Sequence, residues 1–184
     1  MDNGASSYRR FLAGDDSGMV ELIRDYKDGL ILYLNTLTNN LDDAEELMED
    51  VFFKLAVKKP RFHGKSSFKT WLYAIGHNTA VDYLRKNARI SGVPIQDCSS
   101  LASNEDVEQN YIKEEQKIMV HKALSHMKPD YQQVICLVFF EEFDIAETAR
   151  IMHKSKRQIS NMLYQAKQSL RRELEKEGYH YAGL

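Results

Sequence analysis

The chain carries 184 residues, 43% of them hydrophobic and 28% charged, with 25 Lys and Arg against 27 Asp and Glu. Only 3 Pro and 9 Gly argue against a collagen-like or low-complexity chain and against a turn-rich all-β one, and no apolar run approaches the ~18–20 residues of a membrane span. The N-terminus lacks a basic patch followed by an apolar core, and Cys98 and Cys136 form no CxxC pair. A cytoplasmic protein without a secretory signal, a disulfide framework or membrane insertion is therefore expected.

The net charge of −2 hides a strong segregation. Residues 41–50 hold six acids and no base, and 54–89 hold nine bases against Asp82 alone. Residues 91–118 return to acid, and 150–172 hold seven bases and no acid. Two basic blocks separated by an acidic one suit two surfaces for one polyanion.

Helical periodicity dominates in chain order. Apolar residues at 19, 23, 26, 30, 33, 34 and 37 mark one face of a helix, with Ser17 as its cap. The next helix, capped by Asp42 or Asp43, carries Ala44, Leu47, Met48, Val51 and Leu55, and Pro60 stops it. A basic loop over 61–66, holding Gly64, leads to a helix capped by Ser66 or Ser67 and carrying Phe68, Trp71, Leu72, Ile75, Thr79 and Leu84. Residues 87–110, with Gly92 and Pro94 and few apolar side chains, read as a linker between two helical domains. Helix resumes near Val107 or Tyr111 and runs to Met127, and Pro129 opens another helix reaching about Glu141. Two capping signatures follow, Asp144 with Glu147 and Ser155 with Gln158, joined by a tight turn at His153 and Lys154. The spacing predicts a helix-turn-helix, with Ala149 where the two helices approach closely.

Two stretches carry nucleic-acid chemistry. The second helix of the pair would present Lys156, Arg157, Gln158, Ser160 and Asn161 to base edges, with Lys167, Arg171 and Arg172 on phosphates. Residues 66–86 bring aromatic side chains beside cations, which suits unstacked bases, although Trp71 sits among apolar neighbours and reads as core. His63, His77, His121, His126, His153 and His180 show no metal-ligand spacing, and neither a Walker loop nor GxGxxG occurs. A non-catalytic protein without cofactor or metal is expected. A stand-alone operator-binding regulator is the alternative reading, but it needs neither an acidic helix nor an aromatic-basic loop.

Residues 43–55 (DAEELMEDVFFKL), 60–73 (PRFHGKSSFKTWLY) and 78–85 (NTAVDYLR) closely resemble the second conserved region of sigma-70-type bacterial initiation factors, and the C-terminal helix pair resembles their fourth region. The short length is similar to the extracytoplasmic-function (ECF) group. The resemblance implies an all-α fold of two small helical domains, 1–87 and 111–184, joined by a flexible linker at 88–110 that threads the polymerase. It implies a role in directing core RNA polymerase to promoter DNA, and it brings a family tendency to anti-sigma partners. Asp43, Glu46, Leu47, Asp50, Val51 and Phe53 would then dock on core polymerase. Lys65, Ser66, Phe68, Lys69, His77, Asn78, Asp82, Arg85 and Lys86 would bind and melt the −10 element. Ser155, Lys156, Arg157, Gln158, Ser160, Asn161, Lys167 and Arg171 would read the −35 duplex. His153 stands where the family usually has a turn Gly, Met162 and Gln165 where it commonly has bases, and Gln132 where Arg is usual, which implies a weaker phosphate grip.

Overall fold

The computed structural model describes residues 3–91 and 123–176, which form helices joined by turns and loops and contain no strand. An N-terminal module is built from α1 (Asn3–Leu12), α2 (Ser17–Thr38), α3 (Leu41–Lys58) and α4 (Phe68–Ser91). A C-terminal module is built from α5 (Pro129–Ile135), α6 (Ile145–Ile151) and α7 (Lys156–Lys176).

The sequence reading misses α1. Its segment, NGASSYRRFL, has weak helix formers at the start, and a ten-residue helix gains most of its stability from packing. Here Tyr8 and Phe11 are buried, and Gly18 of α2 lets the two backbones touch, since a Cβ there would collide with the Ser7 carbonyl. Ser7 Oγ donates to Glu21 at 2.6 Å, and Arg10 bridges Glu21 and Asp15 at 3.0 and 2.8 Å.

Caps shift by a residue or two from the expected ones. Asp16, not Ser17, precedes α2. Asn40, not Asp42 or Asp43, caps α3 and accepts from both of their backbone amides, which leaves the two carboxylates in the first turn where the helix dipole favours them. Ser67 caps α4 as expected, accepting from the Thr70 amide at 3.1 Å. That helix runs to Ser91, four residues into the stretch assigned to the linker, before Gly92 and Pro94. The rest of the linker, and the helix expected from 107 or 111, lie outside the described residues except for the helical turn at 123–125.

The helix expected from Pro129 to Glu141 changes pitch. After Ile135 the bonding widens over Cys136–Phe140, with the Glu141 amide reaching back five residues to the Cys136 carbonyl at 3.0 Å. Such wide turns recur at functional sites. This one ends with Glu142 at φ 58° and turns Glu141 inward, while Phe139 and Phe140 stay half-exposed.

The buried side chains of the two modules form one continuous cluster. It runs from Tyr8, Leu34 and Leu55 through Tyr33 and Tyr73 to Leu137, Phe143 and Ile159. Contacts of α6 on α4, and of α5 and its wide turn on α2, join the halves.

Candidate nucleic-acid interface

The loop between α3 and α4 is held from above by α1. Lys59 leaves α3 at φ 44° and Gly64 turns the chain at φ 68°, both left-handed. The Tyr8 hydroxyl donates to the Pro60 carbonyl at 2.8 Å, and Lys59 lies over the Phe11 ring. Tyr8, Phe62, Phe68 and Trp71 form one aromatic cluster, with touching rings 5.2–5.7 Å apart between centroids. The effect is to seat the aromatic side chains and turn Arg61, His63 and Lys65 to the surface. Ser66 is half-buried, its hydroxyl on the Ser67 carbonyl.

Phe68 is fully buried, which corrects its expected role on DNA. The aromatic-basic pattern does not say which ring faces inward, and the first residue of α4 points into the cluster. Tyr8→Phe keeps the ring and removes the bond to Pro60. It should lower stability by about 1 kcal/mol in urea unfolding, as a neutral hydrogen bond implies.

On α3, Glu46 and Asp50 are exposed, Asp43 is half-exposed and Phe53 is 62% exposed, beside the equally exposed Val57. Leu47 and Val51 are 2% and 0% exposed, which corrects their place in a docking surface. They share with Ala44 and Leu55 the stripe that packs into the core. What remains is an exposed apolar pair, Phe53 and Val57, with exposed acids on the N-terminal side of it.

The C-terminal pair forms the expected helix-turn-helix. Asp144 and Glu147 make a reciprocal capping box on α6, and Ser155 and Gln158 do the same on α7 at 3.2 and 2.8 Å. The Gln158 carbonyl is thereby engaged in capping. Ser155→Ala should cost about 1 kcal/mol of stability in thermal or urea unfolding. Ala149, Ile159 and Ala166 are buried where the helices cross, and Lys156, Arg157, Gln158, Ser160 and Asn161 stand exposed at the start of α7. Further along, Lys167 lies over the Phe139 ring and Arg171 is exposed. His153 occupies the turn at φ 52°, a left-handed conformation costing a non-glycine residue about 1–2 kcal/mol.

Lys69, His77 and Asn78 of α4 meet the C-terminal module, a contact that sequence reasoning missed. Lys69 Nζ lies 2.9 Å from Glu141 Oε2 and donates to the Glu141 carbonyl at 2.8 Å. The Tyr73 hydroxyl donates to Glu141 Oε2 at 2.6 Å, and Phe143 stands edge-on to the Tyr73 ring. Thr70 Oγ1 and Ser67 Oγ donate to Glu147 Oε1 at 2.8 and 3.3 Å. His153 Nε2 donates to Asn78 Oδ1 at 2.8 Å, and His77 sits between the Tyr33 hydroxyl, 2.8 Å from its Nδ1, and the His153 ring. Burial first, then the nearby His153 and Lys154, push His77 down to about 4. Asp82, Arg85 and Lys86, nearer the end of α4, stay exposed. The signal in the sequence is weak: a Glu closing an apolar run and a His in a turn.

The chain matches the family model for sigma-70 region 2 over residues 22–90 and that for sigma-70 region 4 over residues 117–170. It is 28% identical to the RNA polymerase sigma factor YlaC of Bacillus subtilis, over 85% of this chain and 91% of that relative. It is 26% identical to the sigma factor SigV of the same organism, over 86% of this chain and 92% of that one. Among solved structures, the sigma factor RpoE in complex with the anti-sigma factor NepR from Bartonella quintana superposes with a TM-score of 0.69 at 21% identity. The match covers 84% of this chain and 95% of that one. CnrH, in complex with the cytosolic domain of CnrY, gives 0.63 at 16% identity over 95% and 96%. With regions 2 and 4 both present in order on an all-helical fold, the chain belongs to the ECF group of the sigma-70 family of RNA polymerase sigma factors.

Proposed function

We propose that this chain binds core RNA polymerase through the exposed acidic face of α3, reads −35 duplex with the start of α7, and holds and melts the −10 element with the 61–67 loop and the exposed side chains of α4. The observation that carries this reading is the coexistence of two separate basic surfaces of different character. One is a helix-turn-helix with five exposed polar and basic side chains at the start of its second helix, suited to a major groove. The other is an exposed basic loop seated on an aromatic cluster, suited to separated strands. An acidic helix face lies beside the second. An operator binder needs only the first.

In this reading the working division is an N-terminal module ending near 91, a connecting segment, and a C-terminal module carrying the −35 reader. The chain acts where the polymerase is, in the cytoplasm, without catalytic chemistry of its own. One structural relative, RpoE, is in complex with an anti-sigma factor, and an anti-sigma partner is proposed for this chain also.

Polymerase reconstituted with the chain, followed by sequencing of run-off transcripts, yields its promoters. On such a promoter Arg157→Ala should lower holoenzyme occupancy of duplex DNA and relax preference at one −35 position by about 1–3 kcal/mol. A pre-melted −10 bubble should not restore it. Lys65→Ala with Asn78→Ala should leave occupancy nearly intact and slow strand opening, read by permanganate reactivity of unpaired thymines. Equal loss of occupancy and opening in both variants would overturn the division of labour between the two surfaces.

A further inference from the structure

We propose that Arg9, Lys58 and Lys59 form a phosphate-binding corner beside the 61–67 loop, and that it grips the backbone of the DNA strand leaving the −10 element toward the polymerase. The proposal rests on the reading of that loop as a holder of the −10 element. It gives a role to α1, which lies outside the region 2 match over 22–90.

The corner is assembled from two helices. Lys58 closes α3, Lys59 follows it, and Arg9 stands in the last turn of α1. All three are exposed, as are Arg61 and Lys65 of the loop. The two helices are fastened together at this point. The Tyr8 hydroxyl donates to the Pro60 carbonyl, and the Lys59 ammonium lies 5.1 Å from the centre of the Phe11 ring. On α1, Ser7 and Arg10 face α2 through Glu21, and Tyr8 faces the loop. A helix turns by about 100° per residue, so Arg9 follows Tyr8 onto the flank away from Glu21. Arg10 is engaged by Asp15 and Glu21, whereas among the described residues no carboxylate pairs with Arg9, Lys58 or Lys59.

Two features set these cations apart from a merely solvated rim. A helix C-terminus attracts positive charge, and Lys58 in the last turn of α3 already answers that need. Lys59 occupies the left-handed C-cap at φ 44°, a position that usually goes to Gly. Backbone held in such a region gathers at ligand sites. The corner also fills the interval between two surfaces of the proposed function. The apolar end of the α3 docking face lies at Phe53 and Val57, and the loop cations begin at Arg61. RNA synthesis starts downstream of the −10 element. A strand held on the loop and passed to a polymerase seated on α3 therefore crosses Lys58 and Lys59. Charge chooses DNA over protein as the occupant: a polymerase site that accepts Glu46 and Asp50 is basic and would repel these cations. Phosphate contacts carry no sequence information, so the corner adds grip and not promoter choice.

The test uses holoenzyme reconstituted with the full chain and a promoter found by run-off sequencing. Two forked templates are duplex to the upstream edge of the −10 element. In one, the non-template single strand ends at the last −10 base, and in the other it runs on with random sequence. Fluorescence anisotropy gives affinity against salt for wild type, Lys58→Gln with Lys59→Gln, and Arg9→Gln. Lys58→Arg with Lys59→Arg keeps the charge, and far-ultraviolet circular dichroism checks the fold of each. The extension should tighten wild-type binding and steepen its salt dependence. Each lost phosphate contact should lower the slope on the extended template by about 0.7, so the double Gln variant loses about 1.4. From 50 to 200 mM salt its affinity for that template should fall about sevenfold less than that of wild type. The Arg pair should restore the slope, and on the short template all four proteins should agree. A wild type that gains nothing from the extension, or Gln variants that lose equally on both templates, overturns the corner and leaves the loop reading intact. Unchanged slopes with weaker capture of core enzyme would assign the cations to the polymerase and overturn it as well. Failure of wild-type holoenzyme to bind even the short fork would overturn the loop reading, and the corner with it.

Discussion

Phe68→Ala should be the most damaging single truncation in the N-terminal module, lowering its stability by about 3–5 kcal/mol. The side chain is fully buried, and its ring lies within 5.4–5.8 Å of the rings of Tyr8, Tyr26, Phe62 and Trp71. No one of these rings can move into the space without losing its own contacts, so the cavity stays open. The same cluster seats the loop carrying Lys65, so promoter opening should fall along with stability. Phe53→Ala is the matched control. It removes the same side chain from a site 62% exposed on α3 and should change stability by no more than about 0.5 kcal/mol. Its effect should appear in capture of core polymerase, where an exposed aromatic next to Glu49 and Asp50 is a natural anchor. Urea unfolding of both variants, beside a pull-down with core enzyme, checks the contrast. Equal stability losses would mean that Phe68 is no deeper than Phe53, and the aromatic cluster would not be the keystone of the loop.

The contrast between these two phenylalanines also marks what could be read without coordinates. Helix positions followed from apolar spacing, and the two capping boxes on α6 and α7 followed from four residues alone, because a cap is a local bond between neighbours. The face of a helix is less local. The family motif puts Leu47, Val51 and Phe68 on partner surfaces because it spans core and surface positions without separating them. The 44, 47, 51 and 55 stripe already pointed two of them inward. Helix α1 escaped because its stability comes from α2 and α4, not from its own sequence. The contact between modules was beyond reach for the same reason. Glu141 looked like one more acid at a helix end, and only a pitch change over Cys136–Phe140, together with a distant Gly29, gives it a buried seat. His153 was noted as an oddity in a turn. Its φ of 52° is a strained left-handed backbone for a non-glycine residue, and its ring meets Asn78 at 2.8 Å.

Acid should weaken the folded chain through His77. The groups facing its ring are Tyr33 from α2, His153 and Lys154 from the turn before α7, and Asp130 from α5. Burial and the two basic neighbours disfavour the imidazolium more than Asp130 favours it, so the group falls from its ordinary 6.5 to about 4. The unfolded chain takes up a proton on this residue below about 6.5, and the folded chain does not until about 4. Between those limits the unfolded state binds more protons, so stability is fully present above about 6.5 and is lost as pH falls toward 4. A gap of that size corresponds to about 3 kcal/mol for a fully shielded group, and partial exposure reduces it to about 2 kcal/mol. His77→Gln keeps a neutral polar side chain and cannot titrate. Urea unfolding at pH 7 and pH 4.5 should therefore show wild type losing about 2 kcal/mol more than His77→Gln over the same interval, the many surface carboxylates cancelling between the two. The variant also keeps the His153 bond to Asn78, so the difference reports the ring of His77 and not the turn. Parallel losses in the two proteins would show that His77 is as readily protonated in the folded chain as in the unfolded one, and that the ring is not enclosed between the modules.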